Sequence, residues 1–229
     1  MAYTLRKEMK ENERRALEGK SLKEKLSYIF YYYKWHMLGV IILLFIIGSF
    51  IKSMSEYREP YLQIAIVNAD QTADFDSPIR EYELTTDIDK DKEEMRYDSS
   101  YVFMTGNGSN GFDAQQVQKL FAATSAGMLD IIVCDEKSYE WISQMGYFRD
   151  LSDVLTAEEL ASYGDRIRKA EVESDLDGTI ASEYAAIDVT DSPKLKAWGW
   201  YPEGKIYVGL VMESEHIDRA LDFIRYLDK

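Results

Sequence analysis

Several stretches of this 229-residue chain place chemically able residues at spacings that known chemistries use. Gly106-Asn-Gly-Ser-Asn-Gly111 fits G-x-G-x-x-G, a loop that lays a pyrophosphate on a helix N-terminus, with an acidic residue, here Asp130, about twenty positions on. The next helix-capping residue, Asp113, falls after the third glycine, so the helix start is displaced from where the phosphate would lie. The segment therefore reads as a flexible βα loop, and Gly106, Asn107, Gly108, Ser109 and Asn110 are its candidate ligand contacts. Asp175-Leu-Asp-Gly-Thr179 has the form of an aspartate-nucleophile motif of phosphatases. That chemistry needs the first Asp at the tip of a buried apolar strand, whereas the polar run Arg168-Lys-Ala-Glu-Val-Glu-Ser174 precedes it, so a surface turn is expected. Asp87, Asp89 and Asp91, with Asp98 in the final position, open like a calcium loop. Lys92 occupies the place where glycine must make the sharp turn, which leaves a solvated acidic loop.

The aromatic and sulfur-bearing residues are the other chemical resource. Trp198 and Trp200 stand two apart on a predicted strand beside Tyr201, so they share a face. Such a pair is either a stacking platform for a sugar or partner, or the packing of a sheet over a helix; both tryptophans enter as candidate ligand contacts. His36 and His216 cannot form a shared metal or catalytic pair, and the single cysteine, Cys134, sits in an apolar run as a buried thiol. Zinc and hydrolase chemistries lack components, no cofactor is expected, and a non-enzymatic protein is the expectation.

These residues have to be positioned by elements that the hydrophobic pattern announces. Tyr61–Val67 is β-branched enough for a strand, Tyr101–Met104 for a second and Leu129–Cys134 for a third, fully apolar one. Asp113-x-x-Gln116 caps a helix running toward Ala126, Glu136–Met145 is a helix closed by Gly146, and Thr156–Tyr163 is a short helix. Leu195–Trp200 and Lys205–Met212 flank a Pro202-Glu-Gly204 turn and predict a hairpin. A final helix from Ser214 carries Ile217, Leu221 and Ile224 on one face. Residues 70–98 show no assignable period. Strand alternating with helix implies an α/β domain with parallel pairs.

The segment Trp35–Ile51 has another destination. It is 17 residues without a full charge, reaching ~25 Å at ~1.5 Å per residue, and Tyr28–Tyr33 extends it with rings suited to the membrane interface. Ser21-x-x-Glu24 is a capping box, so a helix from about Leu22 through the bilayer is predicted. Upstream stand nine bases (Arg6, Lys7, Lys10, Arg14, Arg15, Lys20, Lys23, Lys25, Lys34) against five glutamates; just downstream are only Lys52 and Arg58. The positive-inside rule then puts the N-terminus in the cytoplasm and the rest outside the cell, on an uncleaved signal anchor. The organisation reads as a cytoplasmic basic segment at 1–34, a transmembrane helix at 35–51, a polar linker at 52–60 and an extracellular α/β domain at 61–229.

Of 27 bases and 41 acids, 18 and 36 lie beyond residue 36, a formal charge of −18 on the outer part. Such a surface repels nucleic acid, which is excluded as a partner. A domain that no disulfide can staple suits a Gram-positive surface.

The passage Ala123-Thr-Ser-Ala-Gly-Met-Leu-Asp-Ile-Ile-Val-Cys-Asp-Glu136, followed by Trp141-Ile-Ser-Gln-Met-Gly-Tyr-Phe-Arg-Asp-Leu-Ser-Asp-Val-Leu155, resembles the extracellular solute-binding proteins of ABC importers. A small-residue helix end, an Asp opening an apolar strand, a helix ending in Gly and the passage Phe148–Asp153 carry the likeness. Ile206–Met212 and the helix from His216 to Leu227 look like that family's closing strand and helix. The resemblance covers about half of the outer domain, and that domain has room for little more than one of the family's two lobes. It implies an α/β fold in which a single N-terminal transmembrane helix is followed by one solute-binding-protein-like lobe, a mixed sheet flanked by helices. The implied role is binding a small molecule or docking on an ABC permease or other membrane complex, with the lipid bilayer as a fixed partner. An assembly protein without a small-molecule ligand, or an extracytoplasmic enzyme of another type, are the alternatives.

Overall fold

A computed structural model describes residues 11, 14, 15, 18, 19, 21–103, 113–173 and 180–229. The chain divides into two compact units, Met1–Tyr57 and Arg58–Lys229.

The first unit is dominated by one helix, α1 (Leu22–Glu56), 35 residues long. Its start is set by the predicted capping box: Ser21 Oγ accepts from the Glu24 amide, and the Glu24 carboxylate accepts from the Ser21 amide at 2.9 Å. Two otherwise orphaned amides are satisfied in this way. Within α1, Tyr33–Glu56 is long and apolar enough to cross a membrane. Lys34 lies over the rings of Tyr31 and Trp35, 5.3 and 6.0 Å from their centroids, so its charge is held among the aromatic residues at the start of that stretch.

The second unit is α/β. Its elements are β1 (Glu59–Val67), α2 (Asp76–Glu83), β2 (Glu93–Tyr101), α3 (Ala114–Ser125), β3 (Ile131–Asp135), α4 (Glu136–Gln144), α5 (Ala157–Tyr163), β4 (Ile167–Glu173), β5 (Ile180–Asp188), α6 (Pro193–Trp198), β6 (Ile206–Leu210) and α7 (Ile217–Leu227). The six strands form one mixed sheet in the order β2-β1-β3-β6-β5-β4. β1 is parallel to both β2 and β3, while β6 runs antiparallel to β3 and β5, and β4 antiparallel to β5.

Alternation along the central strands divides the core in two. Leu62, Ile64 and Ile66 of β1, with Ile131 and Val133 of β3, meet α2, α5, α6 and α7 on one face. Ala65 and Val67, with Ile132 and Cys134, meet α3 and α4 on the other. Both faces are covered, which is why these strands read as continuous apolar runs.

Some expectations are corrected. Leu195–Trp200 is not a strand: Ser192 caps α6 with Pro193 in its first turn, and Gly199 ends it in the left-handed region at φ 67°. No hairpin forms there, and β6 instead inserts between β3 and β5. The second strand ends at Tyr101, so the Tyr101–Met104 expectation overlaps it by that residue, and the unassigned 70–98 stretch supplies α2 and most of β2. The polar linker expected at 52–60 contracts to Tyr57 and Arg58, because α1 runs on to Glu56 and β1 already begins at Glu59. The β4–β5 pair was not anticipated; the Asp175–Thr179 motif falls between these strands and outside the described residues.

Candidate functional site

The chain leaves β1 toward α2 on one face of the sheet and leaves β3 toward α4 on the other. Adjacent parallel strands whose connections diverge in this way open a crevice at their carboxyl ends, the topological switch point where open α/β sheets bind ligands. Here that crevice is a cleft of about 480 Å³ lined by Asn68, Gln71, Val102, Asp135, Glu136, Lys137, Glu203 and Lys205, among others.

Asn68 organises it. Directly after β1 the residue takes φ 57°, a left-handed conformation in which asparagine is tolerated far better than bulkier residues. The turn aims its side chain across the crevice. Nδ2 donates to Asp135 Oδ1 at 3.1 Å and to Ser138 Oγ at 2.9 Å, and Oδ1 accepts from the Phe103 amide at 2.7 Å. Its own amide donates to the Tyr101 carbonyl at 2.9 Å. One amide side chain thus ties together the exits of β1, β2 and β3 and the start of α4. Below it the buried Tyr201 hydroxyl lies 2.8 and 2.9 Å from the carbonyl oxygens of Val67 and Val133 and offers them its one proton. Burial holds that phenol protonated far above its ordinary range.

Around this fixed base stand the charged residues of the cleft. Asp135 also caps α4, accepting from the Ser138 amide at 3.2 Å, so the helix N-terminus is already served by a carboxylate of the chain. Lys205 Nζ donates to Glu136 at 2.8 Å. That bond holds the Glu136 carboxyl below its usual range and the Lys205 ammonium above its own. Both groups stay ionised at neutral pH, which suits holding charge rather than exchanging protons.

Neither of the described candidate contacts from the sequence, Trp198 and Trp200, lines this cleft. Gly106, Asn107, Gly108, Ser109 and Asn110 lie outside the described residues; Val102, just before them, lines the cleft, and Phe103 is bonded to Asn68. Trp200 is fully buried, its indole N–H donating to the Asp74 carbonyl at 3.0 Å and its ring 5.5 Å from Phe75. Trp198 is half-buried, packed on Trp200 at 4.8 Å and stacked on Tyr226 at 6.3 Å. The pair belongs to the core face under α7, and the residues that follow it, Glu203–Lys205, form a wall of the cleft. Asn68 was not singled out from sequence; the Val67-Asn68 junction, a turn-prone residue directly after an apolar strand, is the signal that points to it.

A second constellation, at the opposite end of the sheet, also escaped the sequence reading. The buried Asp130 carboxylate accepts from the Gln63 amide at 2.8 Å and from the Ser214 hydroxyl at 2.8 Å, with His216 Nδ1 3.1 Å away. Serine, histidine and aspartate meet here, but serine and histidine both converge on the carboxylate. The hydroxyl proton points at Asp130, so no nucleophile-to-imidazole relay exists, and the cluster instead fastens the β6–α7 connection to β1 and β3. Among the described residues no group of three His, Cys, Asp or Glu side chains could hold a metal, and Asp98 of the supposed calcium loop lies in β2, paired with Lys119 at 2.6 Å.

No family model, curated protein or solved structure matches the chain.

Proposed function

We propose that this protein is a membrane-anchored, non-enzymatic binding module of the solute-binding kind, displayed outside the cell on α1, with the cleft at the β1–β3 switch point as its ligand seat. The observation that carries the proposal is the cleft itself: a crevice braced by Asn68 and Tyr201 and walled by Glu136, Lys137, Glu203 and Lys205. The Glu136–Lys205 ion pair over a braced floor suits recognition of a polar solute and not its transformation. The closing unit, β6 followed by α7, supports the resemblance to the solute-binding proteins of ABC importers, as does Asp130 opening β3. The nine bases upstream of the apolar stretch support a cytoplasmic N-terminus.

The experiment is a thermal-shift screen of the full-length chain in detergent against sugars, amino acids and short peptides. A ligand at a hundred times its Kd adds about 2.7 kcal/mol and raises the melting temperature by several degrees. Lys137→Ala and Glu203→Ala should abolish the shift while leaving the unliganded melt in place. A shift untouched by both variants would move the site elsewhere, and a flat screen on folded protein would favour docking on a membrane complex.

A further inference from the structure

The charges that line the cleft at the β1–β3 switch point divide into those already matched within the chain and those left open. Asp135 is taken up by Asn68 and by the first turn of α4, and Glu136 is bonded to Lys205 at 2.8 Å. The side-chain amide of Gln71 is spent on the Ala69 and Ser99 carbonyls, at 3.1 and 2.9 Å. Lys137 and Glu203 remain. Both are exposed in the cleft, and among the described residues neither joins an ion pair or a hydrogen bond. Lys137 follows Glu136 in the first turn of α4, while Glu203 lies two residues before Lys205, so the Glu136–Lys205 bond links the two segments that carry the open charges. One unmatched cation and one unmatched anion share a single crevice.

That pattern discriminates among classes of polar solute. A phosphate or other lone anion would meet the carboxylates of Asp135, Glu136 and Glu203 against the ammonium groups of Lys137 and Lys205, at a helix N-terminus that Asp135 already caps. A sugar would find no aromatic ring to stack on among the described residues that line the cleft. A divalent cation would lack ligands, since no group of three His, Cys, Asp or Glu side chains among the described residues could hold it. A molecule that carries both an ammonium and a carboxylate matches the two open charges, and it leaves no charge of its own unpaired when it enters.

We propose that the solute of this cleft is a dipolar ion, an amino acid or short peptide with free ends, whose carboxylate pairs with Lys137 and whose ammonium pairs with Glu203. This rests on the reading of the β1–β3 crevice as the ligand seat. The cleft, at about 480 Å³, is of the size that encloses a small ligand. The charge of the surrounding surface makes the assignment specific. With 36 acids against 18 bases beyond residue 36, unspecific attraction favours a ligand stripped of its carboxylate. Recognition by Lys137 demands the opposite order.

The test titrates the full-length chain in detergent with the common amino acids and dialanine, each beside its N-acetyl and its carboxamide form, and with glucose and inorganic phosphate as the rival classes. For a free-ended ligand, blocking either end should weaken binding at least about tenfold. Lys137→Ala should level the free form with its carboxamide, and Glu203→Ala should level it with its N-acetyl form. Lys137→Glu combined with Glu203→Lys should recover part of what either reversal loses alone, because a dipole can bind the other way round. Equal binding of free and blocked forms, or tighter binding of the carboxamide, overturns the proposal. So does a response to glucose or phosphate alone: if Lys137→Ala or Glu203→Ala removes that response, the cleft stands as the seat and only the class of solute is wrong. A free-ended ligand indifferent to both variants refutes the seat together with the class, as does silence across the panel from folded protein. Unliganded melting curves matching the native chain establish that each variant is folded.

Discussion

Asn68 carries more of the candidate site than any other side chain, and its worth divides into two separable parts. It holds a positive φ and it satisfies the amide of Phe103. Asn68→Gly keeps the conformation and loses the bonds; Asn68→Ala loses both. Leaving that amide unpaired costs about 1–3 kcal/mol, and alanine in the left-handed region adds about 1 kcal/mol. Thermal unfolding followed by near-ultraviolet circular dichroism should therefore rank native above Gly above Ala, and an equal ranking of the two variants would mean that the turn is unstrained. A second position tests close packing. Gly209 of β6 lies under Phe148, and a Cβ there would fall inside the ring's contact distance. Gly209→Ala should cost about 1–3 kcal/mol through overpacking, and Phe148→Leu in the same chain should recover part of it, which fails if the backbone shifts instead. Neither residue was legible in sequence, because a left-handed asparagine and a glycine under a ring are defined by what crosses them from distant strands. Cys134 was, since an apolar run covered on both faces hides every side chain in it.

At the scale of elements, those with unbroken apolar runs or complete caps were readable, and those whose buried face is made of small or half-exposed residues were not. β1, β3 and α4 have clear boundaries. β4 and β5 bury Ala170, Ala185 and Ala186, which carry no strong hydrophobic signal, and β2 is an edge strand half-exposed along most of its length. α6 is too short to show a helical period, so its two tryptophans suggested a strand, although Ser192, Pro193 and Gly199 are start and stop signals for a helix. The capping box of α5 yields a pH prediction. Glu159 accepts from the Thr156 amide and hydroxyl and from Arg225 of α7 at 2.6 Å, and the backbone bond, followed by Arg225, holds its carboxyl below the ordinary glutamate range. A carboxylate whose folded value lies below its unfolded one stabilises the fold at higher pH, and that contribution fades as pH falls through the folded value. Acid titration from neutrality should thus lower the melting temperature below about pH 5. Glu159→Gln should start lower and show a shallower acid loss; an unchanged slope would assign the acid sensitivity to other carboxylates.

For the molecule as a whole, the decisive asymmetry is electrostatic. One side of the apolar stretch carries nine bases and five acids, while the part beyond carries 18 bases and 36 acids. By the positive-inside rule a Lys/Arg-rich flank favours the cytoplasmic side, which is the orientation proposed above. The buried thiol of Cys134 makes this orientation directly measurable. Glu203→Cys lies at the cleft and Glu18→Cys in the exposed basic segment. In intact cells producing the full-length chain, a membrane-impermeant maleimide should modify the cysteine at 203 at once and the cysteine at 18 only after the membrane is opened. The reverse pattern would put the cleft in the cytoplasm and remove extracellular solutes as its ligands, leaving the fold untouched. Labelling of both without permeabilisation would mean that α1 does not span. Because the two reporters lie on opposite sides of residues 35–51, the comparison reads the orientation of that stretch directly.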